Sequence, residues 1–465
     1  MSRRQYIGSG VSSAAVASGW LWLGPPGSDL AAHEYLRWFF LQHGFALWDD
    51  YWYSGRYVFP TYSWLTYPLA AVLGVKLLFA LAVGVASAAF ARFVDYRPAA
   101  WAFAVVWGCF ALAAALPFAL GVAFALVALN TRRWFPVFAA LTWAASPLAL
   151  LLLLVVVLGL RRWRAAVVTL PFVALQGALQ LAFPNAGHFP FPWQEAAAAA
   201  LFCIGAIALA RGRLRGVFVA WLVLVLASFA FPSLLGENAA RLRFMALPLA
   251  LLVLRDRPAR LALPLAAIAA VYNLSPLYWS FRKGLDERAE AASYWAPAIA
   301  FLRLHADPNF RVNALDTVGH WEAYHLPRAG IPITRGWYRQ DDFPQNELLY
   351  HPLRGADYVR WLREQAVRYV LVPNDRLDYS SKYEPAVART LRFVVRAGDV
   401  RIYEVPNPQP LAPGADVLRL THDSITLRRQ SGLQPQTIRL AIRDDDGGWR
   451  RLEISRAGAS TVHFP

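Results

Sequence analysis

Runs of Leu, Ala, Val and Phe, broken at intervals by Arg, pattern the chain from its start to about Tyr278. A helix crosses the hydrocarbon core of a bilayer with about 20 apolar residues. Segments approaching this recur at roughly 7–24, 74–93, 99–116, 118–131, 135–160, 165–183, 196–211, 216–232, 243–254 and 261–278. They predict an α-helical polytopic membrane domain of about ten spans over residues 1–281. Basic residues fall at every second boundary: Arg3 and Arg4, Arg92 and Arg97, Arg132 and Arg133, Arg161, Arg162 and Arg164, Arg211, Arg213 and Arg215, and Arg255, Arg257 and Arg260. Positive charge marks the cytoplasmic ends of membrane segments, so the N-terminus is expected inside and the intervening loops outside. Residues 135–160 lie between two such clusters and must cross an even number of times, which predicts two short helices hinged at Pro147. The opening "GWLWLGPPG" has no small-x-small cleavage site, so an uncleaved first span is expected.

Beyond about Phe281 the periodicity changes. "FRVNAL" (310–315) and "VRYVLVP" (367–373) read as buried strands, with "ADYVRWLREQA" (356–366) an amphipathic helix between them. "LRFVVRAGDVRIYEV" (391–405) predicts a hairpin turning at Ala397-Gly398-Asp399. After a Pro-rich linker at 406–410, "DVLRLTHDSITLRR", "QTIRLAIRDDDGGWRRLEIS" and "TVHF" alternate at period two with turn residues between. The expected architecture is therefore the membrane domain, an extracytoplasmic α/β domain at 282–405 and a small C-terminal β-sandwich at 406–465.

Composition narrows the class. The chain is 57% hydrophobic and 16% charged, against about 25% charged in ordinary globular domains, which fits a bilayer partner. The net charge of +16 is nearly all Arg. Because the Arg sits between apolar runs, topology explains it and no nucleic-acid partner is expected. Cys109 and Cys203 lie inside apolar runs, as packing thiols do. There is no G-x-x-x-x-G-K-[ST] for an ATP-driven P-loop, and "AAHEYLRW" supplies only half of a zinc-protease motif. His320, Glu322 and His325 are too loosely spaced to argue a metal site from sequence.

The chemistry-bearing residues gather in the first outer loop, 25–60. Asp29, His33 and Arg37 are four apart and line one face of a helix, with Glu34 beside them, and Gly44 can end it. An Asp after Pro-Pro-Gly is also a natural N-cap. Asp49 and Asp50 follow in "LWDDYW", where a solvated turn is the plainer reading. Arg241 and Arg243 precede a late span on the outer side, against the positive-inside bias elsewhere; a snorkelling pair is the alternative.

This order of features resembles the integral-membrane glycosyltransferases of the C-type (GT-C) fold. Within them it is most similar to the bacterial branch described as 6-pyruvoyl-tetrahydropterin synthase-related or mannosyltransferase-like membrane proteins. The matching stretches are an acidic residue early in a long outer loop ("GSDLAAHE"), a G-x-x-L-W segment ("HGFALWDDYWYSG") and an aromatic, proline-bearing return ("YVFPTYSWLTYPL"). A late outer loop ending in Arg before a span ("NAARLRFMALPLALL") completes them. The likeness covers roughly 1–278 and runs loosely on into "RGWYRQDD" and "WLREQAVRYVLVP". It implies transfer of a hexosyl or pentosyl unit from a polyprenyl-phosphate sugar to an extracytoplasmic glycan, lipid or protein acceptor at the plasma membrane. Asp29, His33 and Glu34 would then be the catalytic candidates, with Arg37, Asp49, Asp50, Arg241 and Arg243 contacting substrate. The resemblance leaves room for a divalent metal, although the loop lacks the adjacent Asp-Glu pair of some relatives; no other cofactor is implied. A flippase of lipid-linked precursors is the main alternative, and a membrane scaffold for envelope glycan assembly another. Transporters place ionisable groups at mid-membrane, whereas here the charge gathers in outer loops.

Overall fold

The computed structural model describes residues 1–465 apart from 186, 256, 430–435, 445–447, 455–458 and 465. The chain falls into two compact units. One comprises Met1–His33, Thr61–Ala182 and His188–Leu285; the other comprises Glu34–Pro60, Phe183–Gly187 and Asp286–Pro465.

The first unit is helical. Its elements are α1 (Arg3–Leu23), the first turn of α2 (Leu30–His43), α3 (Thr66–Leu73), α4 (Val75–Val94), α5 (Arg97–Cys109) and α6 (Leu116–Leu129). They continue as α7 (Phe135–Ala145), α8 (Pro147–Gly159), α9 (Trp163–Ala182), α10 (Trp193–Leu209), α11 (Gly212–Ala230), α12 (Ala246–Leu254) and α13 (Ala259–Gly284). Every apolar segment expected to span is helical. Among the described residues three helices, α4, α9 and α11, are long and apolar enough to cross a membrane, while α6, α7, α8 and α10 are shorter apolar helices. At about 1.5 Å per residue, α12 with its 9 residues reaches less than half the ~30 Å of a hydrocarbon core. The chain does break at Pro147: the Ser146 side chain accepts from the Ala149 N–H and Pro147 opens α8.

Close approach of backbones holds these helices together, as expected where apolar association offers little drive. A methyl on Gly216 in α11 would lie 2.2 Å from the Gly159 carbonyl oxygen in α8. α6 is buried over nearly its whole length. In α9 Ala166 and Thr169 are buried and most of the rest is exposed, as for a helix facing lipid.

In the second unit β3 (Arg311–Ala314) pairs parallel with β4 (Val367–Pro373), and β6 (Val400–Glu404) joins β4 and β5 (Arg392–Ala397) antiparallel, in the order β3-β4-β6-β5. In the first outer loop β1 (Trp48–Asp49) and β2 (Arg56–Tyr57) pair antiparallel as a small hairpin. β4 is buried on both faces, as parallel strands are. α14 (Ala292–Leu304) and α15 (Glu322–Arg328) flank β3 in sequence, while α16 (Gly355–Glu364) packs Tyr358, Trp361 and Leu362 on the sheet. α17 (Glu384–Ala388) follows β4. The C-terminal strands form two antiparallel sheets, β11-β8-β7 and β10-β9, from β7 (Ala415–Leu420), β8 (Ser424–Arg429), β9 (Gln436–Arg443), β10 (Trp449–Ile454) and β11 (Ala459–His463). Val417, Ile425 and Leu427 share one core with Ile438, Leu440 and Ile442, the packing expected of a small sandwich. The turns expected near 430–435, 445–447 and 455–458 lie outside the described residues.

The α/β sheet and the C-terminal strands share one compact unit, which also takes in Glu34–Pro60 of the first outer loop. The physical reason is a shared core: Trp48 and Tyr57 pack among the sandwich residues, and the buried Arg311 guanidinium donates to the Ala441 carbonyl.

Candidate functional site

In the helical unit the site is built around the turn before α6. Ser28 and Asp29 donate their backbone N–H groups to Leu112 and Ala113 at 3.1 and 3.0 Å. Gly27 fits against this turn because a methyl there would lie 2.5 Å from the Ala114 Cβ. Ala114 itself holds φ +53°, a left-handed conformation costing about 1–2 kcal/mol for an L-residue. Asp29 precedes α2, and its carbonyl accepts the His33 N–H at 3.3 Å, so it occupies the N-cap position.

His33 is fully buried. Its Nε2 accepts the Leu116 N–H at 3.3 Å, which leaves Nδ1 to carry the proton and donate to the Tyr67 hydroxyl at 3.1 Å. Burial, with the nearby Arg241 guanidinium adding to it, pushes its pKa down to about 3. His33 is therefore neutral at physiological pH and ties α2, α3 and α6 together.

Arg241 reaches the same place from the far end of the unit. Its guanidinium lies 5.3 Å from the Phe118 ring centroid, and its Nε donates to Asn238 Oδ1 at 2.7 Å. No carboxylate among the described residues stands within ion-pair distance of it. Arg243 differs: it meets Glu195 at 2.6 Å and Glu237 at 3.0 Å, so two carboxylates already neutralise it. The structure thus gathers Asp29, His33 and Arg241 about residues 112–118, and turns Arg243 to a tie between α10 and the 236–245 segment.

The other candidates belong to the second unit. Glu34 and Arg37 face each other at 3.9 Å and are partly exposed. Asp49 and Asp50 correct the solvated-turn reading, being 1% and 0% exposed. Asp49 accepts from the Tyr35 hydroxyl and the Tyr51 N–H, both at 2.9 Å, and Asp50 from Trp48 Nε1 at 2.9 Å. Burial raises the Asp49 carboxyl to about 6 against these hydrogen bonds and Arg56, and lifts Asp50 further. Both carboxylates are held by residues of the same loop and of α2.

Sequence reasoning missed Arg56 and Arg335. Arg56 pairs with Asp341 at 2.7 Å and covers the Tyr338 ring at 3.9 Å. A small recess beside it is lined by Trp48, Tyr53, Arg56, Asn185, Asp341 and Arg443. Arg335 is buried among Asp316 (2.8 Å), Asp342 (2.7 Å) and Glu384 (3.3 Å). The only sequence signal for it is an Arg in an otherwise apolar "GIPITRGW". His320 and Glu322, whose spacing with His325 argued no metal site from sequence, come together with Asp316 instead: one ligand atom from each of the three lies within 4.8 Å of the others.

No protein-family model matches the chain, and no curated protein matches it. Among solved structures it is similar to the mycobacterial arabinofuranosyltransferase AftD, with 18% identity over 89% of this chain and 40% of that one, at a TM-score of 0.45. Two classes of a single-substitution variant of AftD give 17% and 18% identity with TM-scores of 0.45 and 0.43. The chain spans about two fifths of the length of these proteins.

Proposed function

We propose that this protein is a membrane glycosyltransferase moving a hexosyl or pentosyl unit from a polyprenyl-phosphate donor to an extracytoplasmic glycan, lipid or protein acceptor. The observation that carries the reading is the convergence of Asp29 and Arg241, remote in sequence, on the strained turn at Ala114 and the start of α6. Asp29 takes the proton from the acceptor hydroxyl as general base. Arg241, which has no carboxylate partner among the described residues, receives the negative charge that grows on the departing lipid phosphate. The positive end of the α6 dipole adds to that stabilisation. Neutral His33 positions the turn and transfers no proton. Arg37 and Glu34 on α2 remain candidates for substrate contact.

Transfer of labelled sugar from a polyprenyl-phosphate donor in proteoliposomes tests the proposal. Full activity in Asp29→Ala sinks it, and label crossing the bilayer without transfer favours a flippase. The outer-face location has its own test. Reporter fusions at Arg213 and at Gly414 should give opposite signals, and equal signals refute the orientation.

A further inference from the structure

A loop after the carboxyl end of β3 carries Asp316, Thr317, Gly319, His320 and Glu322. In open α/β sheets, ligands bind beyond the carboxyl ends of parallel strands, and the segment after the parallel neighbour β4 closes on the same place. Ser380 donates its hydroxyl to Asp316 Oδ2 at 2.7 Å, and the Asp378 N–H donates to the Asp316 carbonyl at 2.9 Å. One face of Glu322 is held firmly: Oε2 accepts the Thr317 N–H at 3.1 Å and the Thr317 hydroxyl at 2.8 Å. The other oxygen, Oε1, has no hydrogen-bond partner although Glu322 is only 1% exposed, and His320 Nδ1 beside it has none either. The two atoms stand 3.7 Å apart.

Orphan buried acceptors call for a cause. Their spacing supplies one, since two ligands each about 2.1 Å from a shared cation, at roughly tetrahedral angles, lie about 3.4–3.7 Å from each other. The charges agree. Arg335 already contacts Asp316, Asp342 and Glu384, so a fourth buried carboxylate, Glu322, leaves the cluster in negative excess. The backbone of His320 is held at φ +54°, a strained conformation that surrounding structure must impose. Gly319 helps impose it through its N–H, which donates to Glu287 at 2.6 Å.

We infer that Asp316, His320 and Glu322 form a binding site for a divalent transition-metal cation in the second unit, separate from the residues assigned to sugar transfer. One nitrogen and two carboxylate oxygens suit Zn2+ or Mn2+, whereas Ca2+ takes six to eight oxygens. Thr317 and Ser380 serve as the outer partners that orient the ligating carboxylates.

The test uses the full chain in detergent, stripped with EDTA and then titrated with Zn2+, Mn2+ or Ca2+. Elemental analysis should find one Zn2+ or Mn2+ per chain, with Ca2+ far weaker, and the metal should raise the melting temperature. Glu322→Gln and His320→Ala should each weaken binding by at least about 10-fold, while Asp357→Asn on the exposed part of α16 should not. Co2+ loading of the unmutated chain gives a second readout through its visible absorption, which holds even where a variant fails to fold. No stoichiometric binding by the unmutated chain, or binding by His320→Ala and Glu322→Gln as tight as by the unmutated chain, overturns the site and leaves a His320–Glu322 ion pair.

Discussion

Arg241 in the helical unit is partly buried and Arg335 in the second unit is fully buried, and their surroundings are opposite. Arg241 has an amide oxygen at 2.7 Å and an aromatic ring 5.3 Å away. Arg335 has three carboxylates between 2.7 and 3.3 Å. A charge buried with its counterions is committed to structure, because removing one partner strands the others. A cation kept short of a counterion holds binding capacity in reserve for an anion that arrives from outside. The same contrast separates Arg243, saturated by Glu195 and Glu237, from Arg241 two residues away. The lesson is that the number of carboxylates around a guanidinium, more than its burial, separates a tie from a candidate phosphate contact.

Four substitutions can break or sharpen this contrast. The largest effect is expected at Asp29: loss of a general base costs about 10²–10⁴-fold, so Asp29→Asn should lower kcat by about 1000-fold while donor binding stays near normal. Thermal unfolding should report Arg335→Met next. Stranding three buried carboxylates should cost about 3–5 kcal/mol, with little specific effect on donor affinity in whatever fraction stays folded. Arg241→Gln should do the reverse, leaving the melting temperature nearly unchanged and weakening donor binding by about 10- to 100-fold, the worth of a charged hydrogen bond. Arg243→Gln is the matched control; a loss of donor affinity there larger than at Arg241, with stability intact, would reverse their roles.

The smallest effect concerns pH. The folded-state pKa of Asp49, raised by burial to about 6, exceeds its unfolded value, so between about pH 4 and 6 the native state keeps a proton that the unfolded chain has lost. Stability from this group therefore falls as pH rises through that window, by up to about 1.4 kcal/mol per pH unit. Asp341, raised to about 6 by burial with Asp342 adding and Arg56 opposing, has the same sign. Asp49→Asn should flatten part of the slope in denaturant melts between pH 4 and 6, and an unchanged slope would show that Asp49 does not titrate there.

Much of the architecture was legible because it rests on local rules. The apolar segments became helices, Pro147 broke the chain between α7 and α8, and "FRVNAL" and "VRYVLVP" paired in parallel. Hydrophobic periodicity is set by which face each residue buries, and that is written along the chain. Runs such as Leu116–Leu129 are apolar on all sides because protein surrounds them, and an apolar run looks the same whether lipid or protein covers it. Asp29 was singled out by its place after Pro-Pro-Gly, and its N-cap position followed from the same local geometry.

What the chain could not disclose by itself depended on how its segments fold back on one another in space. Asp49 and Asp50 looked like a solvated turn until Tyr35, Trp48 and Tyr51 closed over them. The choice of Arg241 over Arg243 turns on Glu195, which lies more than forty positions upstream and on another helix. Asp316, His320 and Glu322 carry no metal spacing in one dimension, and they meet because a strained backbone at His320 folds the loop back on itself. Side-chain identity and local pattern determined the elements and the list of ionisable groups. Only the tertiary structure decided which charges are neutralised, because a carboxylate acts on an arginine through distance in space and not along the chain.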